Sequence, residues 1–410
     1  MQIRIKRNTF PRLIIILIYS FLFIYRFRGE RYDFFQLRYI VSAAIIAVAL
    51  FVFLVSKNKK KFNVEARLTL RFMAPYFAII VWTLLQVIIV NAKFGLAFTQ
   101  FYRILLITGI SFALFVLFGD DAKNMLFSSM IITYTVTLIS GIMTVGLDGF
   151  FTYLVSPTQK DVKDTLARYF EVHDLTFALG IFLLYFILFI NHKKRADYLK
   201  IIICIAYIYF GYKRVELIAI GLTYLLFLFL RKRQIQFKLK FAAIALMAVV
   251  IGFIVISGTD ILSQITSAFH INTEGRLDFY SKMRSVMNLT PFFFGHGYGF
   301  VSDYIKTFQF GALGTVTMTR MHNDLLALYI ELGCVPFLAW LFYYVYAQTT
   351  YFAKKFGQNN GLLYFVLMMY LVITYATDNT STYFMSQAAF CTILITECRA
   401  YSMSRNEVKE

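Results

Sequence analysis

Charge is scarce in this chain: Asp, Glu, Lys and Arg make up 15% of its 410 residues, where a soluble protein carries about 25%. That scarcity excludes an ordinary soluble protein of two or three domains. Cysteine is scarce too, at four residues. Cys204, Cys334, Cys391 and Cys398 fall within apolar runs or at their cytoplasmic edge, so no disulfide framework and no CxxC metal site is available. They read as small apolar residues. The GxxxxGK[ST] nucleotide loop is missing, and no cytoplasmic segment is long enough to fold into a nucleotide-binding domain. HExxH, GxSxG and carboxylate-rich Dx[DN] patterns are missing from the outer segments, which argues against a zinc protease, an α/β-hydrolase and a metal-dependent transferase. No small-residue cleavage site follows the first apolar run after Arg4, Lys6, Arg7 and Arg12, so that run is expected to remain as a helix.

What the chain has in plenty is apolar sequence, with 59% hydrophobic and 19% aromatic residues. It comes in blocks near 10–27, 37–56, 72–90, 101–118, 124–145, 175–190, 198–211, 214–230, 239–257, 323–346, 361–376 and 383–396. A bilayer core of about 30 Å needs roughly 20 apolar residues per helix. The expected fold is therefore an all-α, polytopic integral membrane protein of about twelve transmembrane helices, forming a single domain over residues 1–410. The net charge of +19 invites a nucleic-acid reading, but its distribution rejects one. Lys57, Lys59, Lys60 and Lys61, then Lys193, Lys194 and Arg195, then Arg231, Lys232 and Arg233 fill alternate short loops. Short loops with such an excess stay cytoplasmic, which puts both termini inside. The clusters set topology and meet anionic lipid.

Polar chemistry then concentrates outside. One outer loop, near 146–173, holds Asp148, Asp161, Asp164, Glu171 and His173. The other, residues 258–322, is the longest polar segment. From Glu274, Leu277, Tyr280, Met283 and Met287 recur at helical spacing, with Arg276, Lys282 and Arg284 off that stripe, so an interfacial helix ended by Pro291 is expected. A tight turn follows at Gly295-His296-Gly297-Tyr298-Gly299.

Ionisable groups at membrane depth are costly and default to functional hypotheses. Lys213-Arg214 with Glu216 stands at the outer junction of two spans, where a guanidinium can grip a phosphate bidentately; a helix-end anchor with Lys213 and Glu216 paired is the plainer alternative. Arg276 stands at a helix start, a position suited to anions, or is an ordinary solvated charge. In Met321-His322-Asn323-Asp324, Asn323 is a good N-cap and Asp324 suits the positive end of the helix dipole. His322 then sits at the membrane boundary, where a neutral imidazole can take a proton from a hydroxyl; a lone histidine is more often structural. Glu331 is expected to hydrogen-bond between helices. His173 and Asp174, at the mouth of another span, are weaker candidates.

Taken in order, these stretches resemble the O-antigen polymerase and ligase superfamily of bacterial surface-glycan assembly. The resemblance rests on Gly211-Tyr212-Lys213-Arg214 opening a span, on Gly275-Arg276, on Pro291 leading into Gly295–Gly299, and on His322-Asn323 followed by Leu326, Tyr329, Glu331 and Gly333. It covers about residues 205–340. Lys213 stands where the family has serine or a small residue. The resemblance implies a GT-C-like, inverting glycosyltransferase with no metal and no cofactor, acting at the outer face of the bacterial cytoplasmic membrane on a glycan carried by undecaprenyl diphosphate. Arg214 and Arg276 would hold the diphosphate, and His322 would orient or deprotonate the acceptor hydroxyl. Lys213, Glu274, Arg284, Gly295, Gly297, Gly299, Arg320 and Asn323 would line the substrate. Polymerisation of repeat units is the favoured activity and ligation of finished glycan to another acceptor the alternative. The expected partners are the bilayer, a chain-length regulator and a flippase, with no nucleic acid. A transporter of lipid-linked sugar would instead line its helices with charge through the midplane, whereas ionisable groups here crowd the outer edge.

Overall fold

The computed structural model describes residues 9–22, 24, 26–27, 30–31, 35–56, 62–155, 172–231, 235–268, 276–307 and 321–407. Its helices are α1 (Thr9–Leu22), α2 (Phe35–Val55), α3 (Asn63–Val90), α4 (Phe94–Phe118), α5 (Ala122–Val155), α6 (His173–Leu188), α7 (Arg195–Gly211), α8 (Arg214–Leu230), α9 (Ile235–Ser257), α10 (Ile261–Ala268), α11 (Arg276–Met283), α12 (Phe300–Thr307), α13 (Asp324–Leu332), α14 (Cys334–Leu341), α15 (Gln348–Phe356), α16 (Gln358–Thr377) and α17 (Phe384–Glu407). A π-helical turn, Phe342–Ala347, joins α14 to α15. The only strands among the described residues are Arg26–Phe27 and Glu30–Arg31, a minimal antiparallel pair with Arg26 opposite Arg31.

Each apolar block of the sequence lies mainly on helix among its described residues; the first, 10–27, extends beyond α1 to the strand Arg26–Phe27. Five stretches among the described residues are long and apolar enough to cross a membrane: Leu37–Val55, Asn63–Val90, Phe94–Val155, Phe237–Ser257 and Gln358–Thr377. Phe94–Val155 holds two helices, α4 and α5. Arg12–Leu22 and His173–Leu188 are shorter apolar helices. Apolar helices carry their own backbone hydrogen bonds, which is what a hydrocarbon environment demands. The helix of α5 is interrupted at Gly146, with φ 78°, one residue past the block expected to end at 145.

The chain forms two compact units. The first comprises residues 1–69, 106–220 and 383–410. At its centre α6 is buried from Leu175 to Phe186. Gly211 lets α7 approach α6 closely, since a Cβ there would lie 2.6 Å from the Thr176 hydroxyl. Asp174 accepts the N–H groups of Met385 (2.8 Å) and Ser386 (3.2 Å), closing the start of α17. Toward the other end of α17, the buried Arg399 guanidinium meets Glu65 at 2.7 Å and Asp120 at 3.5 Å. Lys123 meets Glu397 at 2.5 Å nearby. Buried charges persist only when paired in this way.

The second unit comprises residues 70–105 and 221–382. Its spine is the run from α13 through α15, folded back along α16. The expected single span 323–346 is broken at Gly333. This residue takes φ 82°, and a Cβ there would lie 2.3 Å from the Phe293 carbonyl oxygen. The turn between α15 and α16 is made by Gly357, with φ 85°. Ala353 packs against Gly361, where a Cβ would come within 2.5 Å of its own. The Tyr364 hydroxyl donates to the Tyr344 carbonyl at 2.8 Å. A helix forms where the interfacial helix was expected, but it is short: α11 ends at Met283 and a single 3-10 turn, Arg284–Val286, follows it. It therefore stops before Pro291, which lies in the following turn rather than ending the helix.

Candidate functional site

The second unit places a histidine and a carboxylate side by side at the shared end of α13 and α16. Asn323 caps α13, its Oδ1 accepting the N–H of Leu326 at 3.0 Å, as its residue type suggested. The cap fixes His322 one residue outside the helix, with φ 51°. α16 ends at Thr377, and Asp378 leaves it in an extended conformation. His322 Nδ1 then lies 3.2 Å from Asp378 Oδ1 and 3.2 Å from Asn379 Nδ2. Asp378 Oδ1 also takes the N–H of Asn379 at 2.7 Å, which holds the carboxylate in place. The neighbouring Asp324 binds the same turn from the other side, its Oδ2 accepting the N–H of Ser381 at 2.7 Å.

The two contacts at Nδ1 exclude each other for one tautomer. With a proton on Nδ1 the ring donates to Asp378; without one it accepts from Asn379. A carboxylate partner makes the stronger, charge-assisted bond, so it favours the Nδ1–H tautomer and leaves the Nε2 lone pair outward. The His322 side chain is 31% exposed and that of Asp378 is 8% exposed. The acid is thus sheltered and the imidazole reachable, an arrangement that can accept a proton from a hydroxyl. Asp378 and Asn379 were not among the sequence candidates.

The glycine turn packs against the far end of α13. Gly295, Gly297 and Gly299 take φ of 74°, 96° and 90°, a region that favours glycine. The N–H groups of His296 and Gly297 donate to the carbonyls of Ile330 (3.1 Å) and Glu331 (3.0 Å). These two amides are thus engaged by protein and not directed at a ligand. The Gln86 amide binds both the Phe294 carbonyl (2.6 Å) and the Glu331 carbonyl (2.8 Å). The buried Glu331 carboxylate accepts the N–H of Val301 at 3.0 Å, near the start of α12, which is the inter-helix role expected of it. Burial pushes the Tyr298 phenol in this turn well above its ordinary pKa.

The remaining sequence candidates lie elsewhere. Lys213 and Arg214 belong to the first unit, at the start of α8, with Arg214 exposed and Glu216 buried. Tyr212, with φ 40°, turns the chain there. Arg276 is the first residue of α11 in the second unit. Arg284 pairs with Asp260, which ties the tail of α11 to the start of α10. Glu274 and Arg320 lie outside the described residues.

Residues 199–341 match the family model described as O-antigen ligase. The match supports, for those residues, the resemblance to the O-antigen polymerase and ligase superfamily. No curated protein matches the chain. Members of this family are glycosyltransferase-like enzymes acting on lipid-linked glycans, and the match supports a ligase- or polymerase-type function in surface-glycan synthesis. The matched stretch holds Lys213, Arg214, Arg276, the glycine turn, His322 and Asn323. Asp378 lies beyond it.

Proposed function

We propose that this protein joins glycan repeat units carried on undecaprenyl diphosphate, at the outer face of the cytoplasmic membrane, by inverting transfer on a GT-C-like scaffold of about twelve spans. The observation that carries the reading is the His322–Asp378 contact at the end of a membrane-length helix. Asp378 orients the ring, and His322 Nε2 takes the proton of the acceptor hydroxyl. The freed oxygen attacks the anomeric carbon from the face opposite the diphosphate. The anomeric C–O bond breaks, and its electron pair leaves with the lipid diphosphate. Arg214 and Arg276 are the cations proposed to hold that group and stabilise its growing charge. Lys213 adds charge beside Arg214, and Asn323 holds His322 in register. Arg284 acts indirectly, by fixing α11 through Asp260.

The match to the O-antigen ligase family favours a second reading, transfer of finished glycan to a different acceptor. Gene deletion separates the two. With the polymerase deleted, the surface glycan should run on a gel as a single repeat in place of a ladder. A full ladder retained on the lipid carrier would identify a ligase, and an unchanged surface ladder would overturn both readings.

A further inference from the structure

A second polar cluster lies in the second unit, far from His322 and outside the mechanism above. Arg71 projects from α3 toward α15. Its Nε donates to Gln348 Oε1 at 3.2 Å, and its guanidinium carbon sits 3.5 Å from the centre of the Tyr351 ring. The Tyr343 hydroxyl donates to the Arg71 carbonyl at 2.8 Å, which fixes the backbone as well. Among the described residues Arg71 has no carboxylate partner. Two further groups beside it are buried without a hydrogen-bond partner, Gln348 Nε2 and the Tyr351 hydroxyl. Gln348, Tyr351 and Lys355 recur at three- and four-residue spacing along α15, so all three share one helical face. Lys355 is exposed, and so are Leu70 and Ala74 beside Arg71 on α3. The cation therefore stands at the edge of an apolar surface, oriented from beneath and open along one side.

Position decides what could meet it. α16 has 20 residues, about 30 Å of helix, and Asp378 marks its His322 end. Tyr344 and Ala353 lie against Tyr364 and Gly361, in the opening turns of α16, so the cluster flanks the opposite end. A cation without a carboxylate partner is costly at the membrane edge unless another anion meets it. Basic residues between helices at the membrane edge suit acidic lipid head groups.

We propose that Arg71, Gln348, Tyr351 and Lys355 form a site for the phosphate of an anionic phospholipid, in the leaflet opposite His322. The planar guanidinium, stacked on Tyr351, offers its remaining N–H groups to phosphate oxygens. The Gln348 amide and the Tyr351 hydroxyl turn to the same group when it enters, and Lys355 meets it from the head-group side.

The proposal goes beyond the glycan-transfer reading and is tested apart from it, by native mass spectrometry of the purified full chain with added phosphatidylglycerol or phosphatidylcholine. Phosphatidylglycerol should be retained preferentially. Arg71→Gln and Lys355→Gln should each weaken retention, by about tenfold for the arginine. Lys355 is exposed, so its variant cannot lose lipid merely by unfolding, and the thermal midpoint of both variants checks the fold. His322→Ala should retain lipid like the wild type. Equal retention of phosphatidylcholine, unchanged retention by both variants, or loss in His322→Ala would overturn the site. Displacement by excess inorganic phosphate would also overturn it, because the site would then take a soluble anion.

Discussion

His322 adopts a left-handed backbone conformation, φ 51°, that costs a non-glycine residue about 1 kcal/mol or more. The cost is met by its neighbours, since Met321 and Asn323 are both buried and the Asn323 cap holds the next turn. His322 and Asn323 were legible in the sequence because an imidazole, a cap and a helix start stand on consecutive residues. Asp378 was not, because its contact with His322 closes over a gap of 56 residues and nothing local marks it. The available signal was an acid beside an asparagine in the short turn between the last two apolar blocks. If Asp378 orients His322, Asp378→Asn should lower kcat by about 10-fold or more, part or all of the general-base help that His322 supplies. Donor KM and membrane abundance should stay unchanged, which steady-state kinetics and immunoblotting of the variant would check. Activity and abundance falling together would mark a structural role.

Among elements, the long apolar helices followed from the hydropathy blocks, and the start of α13 from the Asn323 cap. The break between α13 and α14 did not, because a single glycine is tolerated within an apolar run. What makes Gly333 a break is the Phe293 carbonyl lying against it, a contact made by the distant glycine turn. That turn and α13 fix each other. A Cβ at Gly295 would lie 2.4 Å from the Gly333 nitrogen and 2.5 Å from the Glu331 carbonyl oxygen, with φ 74° besides. Gly295→Ala should therefore destabilise the protein by about 2 kcal/mol or more. Hydrogen exchange should rise across residues 293–301, where the N–H groups of His296, Gly297 and Val301 lose their acceptors. Unchanged protection there would show that the turn can shift without loss.

Over the whole molecule, scarce charge and long apolar blocks were enough to read a polytopic helical protein. The division into two units was not legible, because each unit draws on separated parts of the chain and α3, α4 and α8 each contribute to both. The same division limited the reading of the site. Arg214 lies in the first unit and His322 in the second, and sequence order alone linked them. The central claim is that His322 performs base catalysis while the arginines hold the lipid diphosphate. It is tested most directly by single-turnover transfer and donor binding on purified His322→Ala, with Arg214→Ala alongside. His322→Ala should bind lipid-linked donor normally and turn over roughly 100-fold more slowly or worse, a typical loss of general-base help. Arg214→Ala should lose donor affinity as well as rate. Wild-type turnover per molecule of His322→Ala would contradict the account.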